Sequence, residues 1–548
     1  MRYIGPFFRM NSLSEKEING QLFYLSKEAV KTIVLNSKCG LVSQIKKYNK
    51  LSSSIDITTN SNFSPLLCVY RKASPTFIHS KNSNGFDEET FKKEINPSTN
   101  ALMSLCLLEL LDYYRGFENI DKSIYSINEI YKNLAKDQLD FYSTHLRNRE
   151  GVFVDKKNIL ENNAKNFNLV DKDKKFKFSD QSFMMIAYYL YSIKNPSDES
   201  SDLYKEFSEQ ILKMFCDFKD QIYDCSLDEI CKVLLSLNVL YSYNYNNDEL
   251  KDLILDLTDY AMCKFDEKDY YTDSLDTASL CCIVLTLSYK HTKILTFSEK
   301  TTEIINRLYT LYDDDKGAFY KLSSKKEIKY SCFDITFYIL AFITYQNTIN
   351  NSNEYRMMIS TIYKKFIINS GLITSWPEAP TLDDYERYRG FTLNSNDMVD
   401  ESYFRMPNIP TPDSTGIAPI FNKYITYNKR KDSFSISKNT FDSYRNFLNF
   451  FLLIHLFKSE YMDELGLLEN NIISIPEVRT SQEEFINTYM ISSDVTAETE
   501  KTIKTIEDIE TKINISTDVV DTVPVDKVVD ENPIKVQVTS INKSDENN

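Results

Sequence analysis

Glycine is scarce in this chain, 11 residues in 548, and a glycine-punctuated sheet protein or a dinucleotide-binding α/β fold would carry more. No G-x-G-x-x-G, P-loop or G-x-S-x-G pattern occurs, which removes the phosphate-cradling loops and the nucleophile elbow. Histidine is rarer still. His79, His145, His291 and His455 lie far apart, without H-E-x-x-H or Cys/His spacing, so no metal site and no cofactor is expected. The ten cysteines form no C-x-x-C pair and fall mostly in apolar stretches, the pattern of reduced, buried thiols in the cytosol rather than a disulfide framework. Positive charge is short as well. With 64 Lys and Arg against 79 Asp and Glu the formal charge is −15, which argues against a nucleic-acid partner, because phosphate neutralisation needs a basic face. No apolar run reaches roughly 20 residues, the length that crosses a bilayer. The opening M-R-Y-I-G-P-F-F-R has no continuous apolar core or cleavage site, so no signal peptide is expected. These absences together predict a cytoplasmic protein with no membrane partner.

What the chain does have is aromatic residues, 37 Tyr and 34 Phe, and helix-forming pattern. Thr272–Tyr289, T-D-S-L-D-T-A-S-L-C-C-I-V-L-T-L-S-Y, is a polar start followed by an almost wholly apolar run. Such a run reads as a helix buried on nearly every side. Related starts occur at Asp180, Asp228, Asp276, Asp334 and Asp442, at intervals of 48, 48, 58 and 108 residues, the last with room for two units. The apolar helices are expected over Asn100–Tyr114, Asp180–Ile193, Leu227–Tyr241, Asp273–Tyr289, Phe333–Tyr345 and Phe441–Phe457. Amphipathic partners are expected over Ile120–Leu146, Ser201–Phe218, Asp248–Phe265, Ser298–Tyr312 and Glu354–Ile368, with a short closing helix around Tyr461–Leu468. Alternating buried and half-buried helices predict stacked αα-hairpins, and hence an all-α fold.

A second element joins the hairpins. Arg149-Glu150-Gly151-Val152-Phe153 and Asp315-Lys316-Gly317-Ala318-Phe319-Tyr320 each follow an outer helix and precede an inner one, with Ser370-Gly371-Leu372-Ile373 a looser copy. Glycine permits a left-handed turn there, and the aromatic tucks back under the hairpin. In this alternation the chain resembles the (α/α)6 toroid, or six-hairpin glycosidase-like, superfamily over roughly residues 97–460. The resemblance implies a toroid of about six hairpins, with a ligand cleft where the inner helices begin.

The remaining parts are assigned by composition. Residues 1–95 are expected as a small irregular N-terminal cap, with helical character over Ser14–Leu35 and Leu22, Leu25, Val30 and Ile33 facing a core. Residues 96–480 make the toroid domain, with a long loop at 375–439, and 481–548 a disordered acidic tail. From residue 491 the tail holds 13 acidic residues against 6 Lys and no aromatic, too little apolar surface to order it. It is the expected contact for a protein partner.

Chemistry is expected at the inner-helix starts. Taken singly, Asp180, Asp228, Asp276, Asp334 and Asp442 are helix N-caps; in a ring they would face one cleft. Sugar chemistry needs two carboxyl groups across the scissile bond, one protonated and one ionised. Asp180, Asp276 and Glu378 are the candidates for acid and base. The long loop carries the only tryptophan, Trp376, followed by Asp383, Asp384, Arg387 and Tyr388, an aromatic and charged set suited to an oligosaccharide ligand. Asp313-Asp314-Asp315 leads into a glycine turn and reads as solvated helix-end acids, and His455 as a hydrogen-bonded core residue. Three readings compete: a metal-independent glycoside hydrolase, lyase or epimerase, a non-catalytic toroid binding a protein or glycan, and an open helical solenoid.

Overall fold

The six apolar stretches are the inner helices of a closed ring. The structure, a computed structural model, describes residues 13–44, 48, 63–79, 84–160, 167–172, 175–243, 247–322, 325–350, 352–378, 416–436 and 438–467. The chain divides into two units, 1–471 and 472–548, and all of these residues belong to the first. The acidic tail lies outside the described residues.

Twelve helices make six hairpins. Helix α1 is Glu15–Asn36, α2 Pro97–Arg115, α3 Lys122–His145, α4 Phe178–Lys194, α5 Ser201–Asp217 and α6 Leu227–Tyr243. Then come α7 Asp248–Asp266, α8 Leu275–Thr292, α9 Leu295–Tyr309, α10 Cys332–Tyr345, α11 Arg356–Ile362 and α12 Ser443–Glu464. The even-numbered helices pack side by side in the order α2, α4, α6, α8, α10, α12, and α12 returns to α2. Each has an odd-numbered partner outside it, α3 on α2, α5 on α4, α7 on α6, α9 on α8 and α11 on α10. An open solenoid would leave α2 and α12 apart, so ring closure excludes that reading.

Burial follows the position in the ring. Every residue of α10, C-F-D-I-T-F-Y-I-L-A-F-I-T-Y, is buried, because it has neighbours on both sides and behind. In α5 the buried residues are Ser201, Tyr204, Ser208, Ile211, Leu212 and Phe215, one stripe at helical spacing, and the other face meets solvent.

The sixth outer helix is α1, from the stretch expected as an irregular cap. Ser14 caps it in a reciprocal box with Glu17, and Leu22, Leu25, Val30 and Ile33 are all buried as expected. Asn19 Nδ2 donates to Glu460 Oε2 of α12 at 2.8 Å, and Phe23 meets Tyr461 with ring centroids 4.6 Å apart. The helix α12 runs unbroken to Glu464, in place of the separate closing helix expected around Tyr461–Leu468, because Lys458-Ser459-Glu460 contains no helix breaker. The last outer helix also departs from regularity: α11 continues as a π-helical turn over Tyr363–Ile368.

The glycine turns take the conformation their sequence implied. Gly151, Gly317 and Gly371 have φ of 85°, 55° and 74°. Behind two of them the aromatic is buried under the hairpin, with Phe153 near Tyr188 and Phe319 stacked on Tyr338 at 4.2 Å and 7° between planes.

The far end of the ring interior holds a buried ionic cluster. Glu109 of α2 accepts from Lys458 Nζ (2.7 Å) and Tyr243 OH (2.9 Å) and pairs with His455 Nδ1 (2.8 Å), while Asp112 accepts from Lys194 and Lys458. His455 is thus a hydrogen-bonded residue of the ring interior. The cluster ties α12 to α2, the junction that closes the ring.

Candidate active site at the mouth of the ring

All six inner helices run in one direction, so their N-termini gather at one end. The acidic residues there fall into two groups. In the first, a carboxylate caps a helix start, and for Asp180 and Glu229 it is that of the neighbouring helix. Asp180 Oδ1 accepts from the backbone N–H of Ser98 at 3.1 Å and from its hydroxyl, at the start of α2. Glu229 does the same one helix on, accepting from Ser179 N (2.8 Å) and Ser179 Oγ (3.0 Å). Asp334 closes a reciprocal box with Ser331 and takes Lys321 Nζ at 2.7 Å, and Asp442 caps α12. Asp180 is 1% exposed, and burial pushes its carboxyl up to about 6 despite the nearby Lys177. Its Oδ2 has no hydrogen-bond partner, nor does Asp334 Oδ1.

Asp276 belongs to the second group. It sits at the start of α8, half-buried, between α6 and α10. Burial and the like charges of Asp334 and Asp228 raise its carboxyl above the usual aspartate range, and Lys321 and Arg445 counter this in part. Asp228, by contrast, keeps a side chain 47% exposed and is ion-paired with Lys232, one helical turn on. The arc α6–α8–α10 therefore sets a carboxyl held toward its protonated form beside an accessible carboxylate. That is the division of labour that proton transfer to and from a substrate requires.

Cations and aromatics complete the arc, from residues that sequence reasoning did not single out. The Arg445 guanidinium lies over the Phe333 ring at 4.8 Å and the Tyr424 ring at 5.5 Å, and its buried Nη1 has no hydrogen-bond partner. Lys232 lies over Tyr444 at 5.5 Å. Burial alone would lower the Lys232 ammonium, but Tyr444 and Asp228 outweigh it and raise it, while burial pushes the Tyr444 hydroxyl up to about 12. Two signals were available in the sequence: Asp442-Ser443-Tyr444-Arg445 at the last inner-helix start, and Lys232 at the i+4 position from Asp228.

The two described long-loop candidates, Glu378 and Trp376, fall elsewhere. Glu378 is exposed, and its backbone oxygen accepts from Tyr24 OH of outer helix α1 at 2.6 Å. No described contact joins it to Asp180 or Asp276. Trp376 is buried in the core at 7% exposure. Asp383, Asp384, Arg387 and Tyr388 lie outside the described residues. The described remainder of the loop includes strands Tyr424–Asn428 and Ser433–Ser435, which pair with each other, and the first also pairs with Glu327–Ser331 in front of α10. Among the described residues no group of three or more His, Cys, Asp or Glu side chains is placed to hold a metal ion. All ten cysteines are free, and no described helix is long and apolar enough to cross a membrane.

No protein-family model and no curated protein sequence matches the chain. Solved structures do. A D-mannose isomerase is 9% identical with a TM-score of 0.43, over 75% of this chain and 96% of that one. The cellobiose 2-epimerase of Bacillus thermoamylovorans is 10% identical with a TM-score of 0.42, over 75% and 99%. An endoglucanase from the termite Nasutitermes takasagoensis is 13% identical with a TM-score of 0.43, over 82% and 99%. The order of helix contacts itself defines the class: six hairpins in a closed ring are an (α/α)6 toroid. This is the architecture expected from the alternation of helices in the sequence.

Proposed function

We propose that the mouth of the ring is a carbohydrate-processing site, with Asp276 as proton donor and Asp228 as the partner carboxylate. The single observation behind the reading is the position of Asp276 at the start of α8, between the helix starts that carry Asp228 and Asp334, where burial and their like charges raise its carboxyl. In hydrolysis, protonated Asp276 would give its proton to the departing glycosidic oxygen as the bond to the anomeric carbon breaks. Asp228 would take the proton of the incoming water, or attack the anomeric carbon itself, depending on the separation of the two carboxyls when substrate is bound. Asp334 is less suited to that part, being committed to Ser331 and Lys321. Asp180 is committed to Ser98 and acts as a cap. In a lyase or epimerase the same pair would deliver and remove a proton at carbon.

Turnover assays on a panel of oligosaccharides, with wild type, Asp276→Asn and Asp228→Asn, test the assignment. Loss of a general acid or base lowers kcat by about 10²–10⁴-fold. Full turnover in both variants sinks the assignment. The second reading, a non-catalytic glycan or protein binder, is favoured by the capping roles of Asp180 and Glu229, which leave fewer free carboxylates. It predicts saturable binding without turnover of any sugar.

A further inference from the structure

The chain carries a net −15, yet one side of the mouth is positive. Lys329 Nζ lies 4.0 Å from the centre of the Tyr424 ring, Lys423 Nζ 5.1 Å and the Arg445 carbon 5.5 Å. The strand pairing that places Tyr424 opposite Ser331 sets this group directly before α10. A fourth cation, Lys72, sits opposite Asp442 on the short strand pair that leads into α12. Asp442 lies among them, 3.7 Å from Lys423. Lys329 and Lys72 make no ion pair among the described residues, and Arg445 Nη1 has no hydrogen-bond partner. Burial first, and then the charge of Lys423, push the Lys72 ammonium below its usual value against the pull of Asp442.

Cations stacked on one aromatic ring are each drawn to its face, but they repel one another, and an anion brought from outside removes that repulsion. A guanidinium fork with an unused N–H matches a planar carboxylate or a sulfate oxygen pair. Arg445 and Asp276 are close enough to act on each other's charge, so an anion held there lies near the proposed proton donor. A protonated Asp276 would not repel it.

We propose that the mouth takes an acidic sugar, its carboxylate or sulfate group held by Arg445, Lys329 and Lys423 around Tyr424. The proposal rests on the reading of the mouth as a carbohydrate site. Calorimetric titration of the full chain at low salt tests it, with trigalacturonate and galactose 6-sulfate against their neutral counterparts galactotriose and galactose. At least one acidic sugar is expected to bind about tenfold or more tighter than its counterpart, as charge-assisted contacts allow, and the better of the two identifies carboxylate or sulfate. Added salt should shrink that advantage, and Lys329→Gln and Arg445→Gln should each reduce it to within about threefold. Lys329 is exposed, so its variant keeps the fold even if the Arg445 variant does not. Neutral sugars binding as tightly as acidic ones would overturn the proposal and leave the carbohydrate reading standing, as would an acidic preference untouched by Lys329→Gln. Silence from all four overturns the proposal, and the wider reading falls with it only if the oligosaccharide panel is also silent.

Discussion

Replacing Asp180 by Asn should make the protein more stable, and only above a definite pH. The carboxyl is buried, and its Oδ1 accepts two hydrogen bonds from Ser98, which an amide oxygen can also accept. Its ordinary value of 3.8 is raised to about 6 in the fold. That difference corresponds to about 3 kcal/mol. The sign is fixed by which state holds the proton. Between the two values the folded chain keeps a proton that the unfolded chain has lost, so wild-type stability falls as pH rises through this window and stays lower above it. The Asn variant has no such fall. Urea unfolding followed by the fluorescence of Trp376, the only tryptophan, gives the stability of both proteins across the range. The variant's advantage should grow from near zero at about pH 3.5 to about 3 kcal/mol above about pH 6.5. A constant difference across that range refutes the reasoning, and so does a variant that loses ground as pH rises. The second result would mean that Lys177, 3.8 Å from Oδ2, holds the group ionised.

Other substitutions probe the ring itself. Gly317→Ala places a side chain at φ of 55°, with the new carbon 2.5 Å from Thr361 Cγ2, and should lower stability by about 1–3 kcal/mol in the same urea assay. Phe319→Ala, which removes the ring stacked on Tyr338, should cost about 3–5 kcal/mol, and a smaller loss would show that the turn does not depend on its aromatic. Lys458→Met leaves Glu109 and Asp112 short of a buried partner and should cost about 3–5 kcal/mol, partly recovered when Glu109→Gln is added. No recovery would mean that the two groups act independently. The Glu109 carboxyl, which burial alone would raise, is held well below its usual value by Lys458 and His455. The stability it contributes is therefore present above the ordinary glutamate value and lost as pH falls through the depressed one.

How far the sequence can be read depends on the range of the interaction. The inner helices were legible because a helix with neighbours on three sides must be apolar nearly all round, as α8 and α10 are. Gly151, Gly317 and Gly371 were legible because a left-handed residue leaves a local mark. The role of α1 was not, since its helical pattern showed an apolar face without showing that the face meets α12, more than four hundred residues later. Likewise an aspartate near a helix start suggests a cap for its own helix. Only the packed ring assigns Asp180 to Ser98 and Glu229 to Ser179. Asp276 reads like its neighbours in sequence and is set apart by its burial and by the flanking Asp334 and Asp228. Arg445 carried a signal too weak to separate from ordinary helix-start polarity.

The two ends of the ring differ in how their acidic and basic side chains are satisfied, and the difference bears on function. At the far end Glu109 has both oxygens engaged, by Tyr243, His455 and Lys458, and Asp112 takes two lysines. At the mouth Asp180 Oδ2, Asp334 Oδ1 and Arg445 Nη1 are buried without a partner. Each unsatisfied buried group costs about 1–3 kcal/mol. Unpartnered buried atoms also occur toward the far end, at Tyr114 OH and Asn238 Oδ1, but the three at the mouth belong to carboxyl and guanidinium groups. A ligand that supplies their partners recovers part of that cost, and so binds the folded chain in preference to the unfolded one. At about a hundredfold excess over its dissociation constant it would raise stability by about 2.7 kcal/mol. That gain should fall in Arg445→Gln and persist in Lys458→Met, because only the first substitution touches the open end. Equal loss in both would place the ligand outside the mouth.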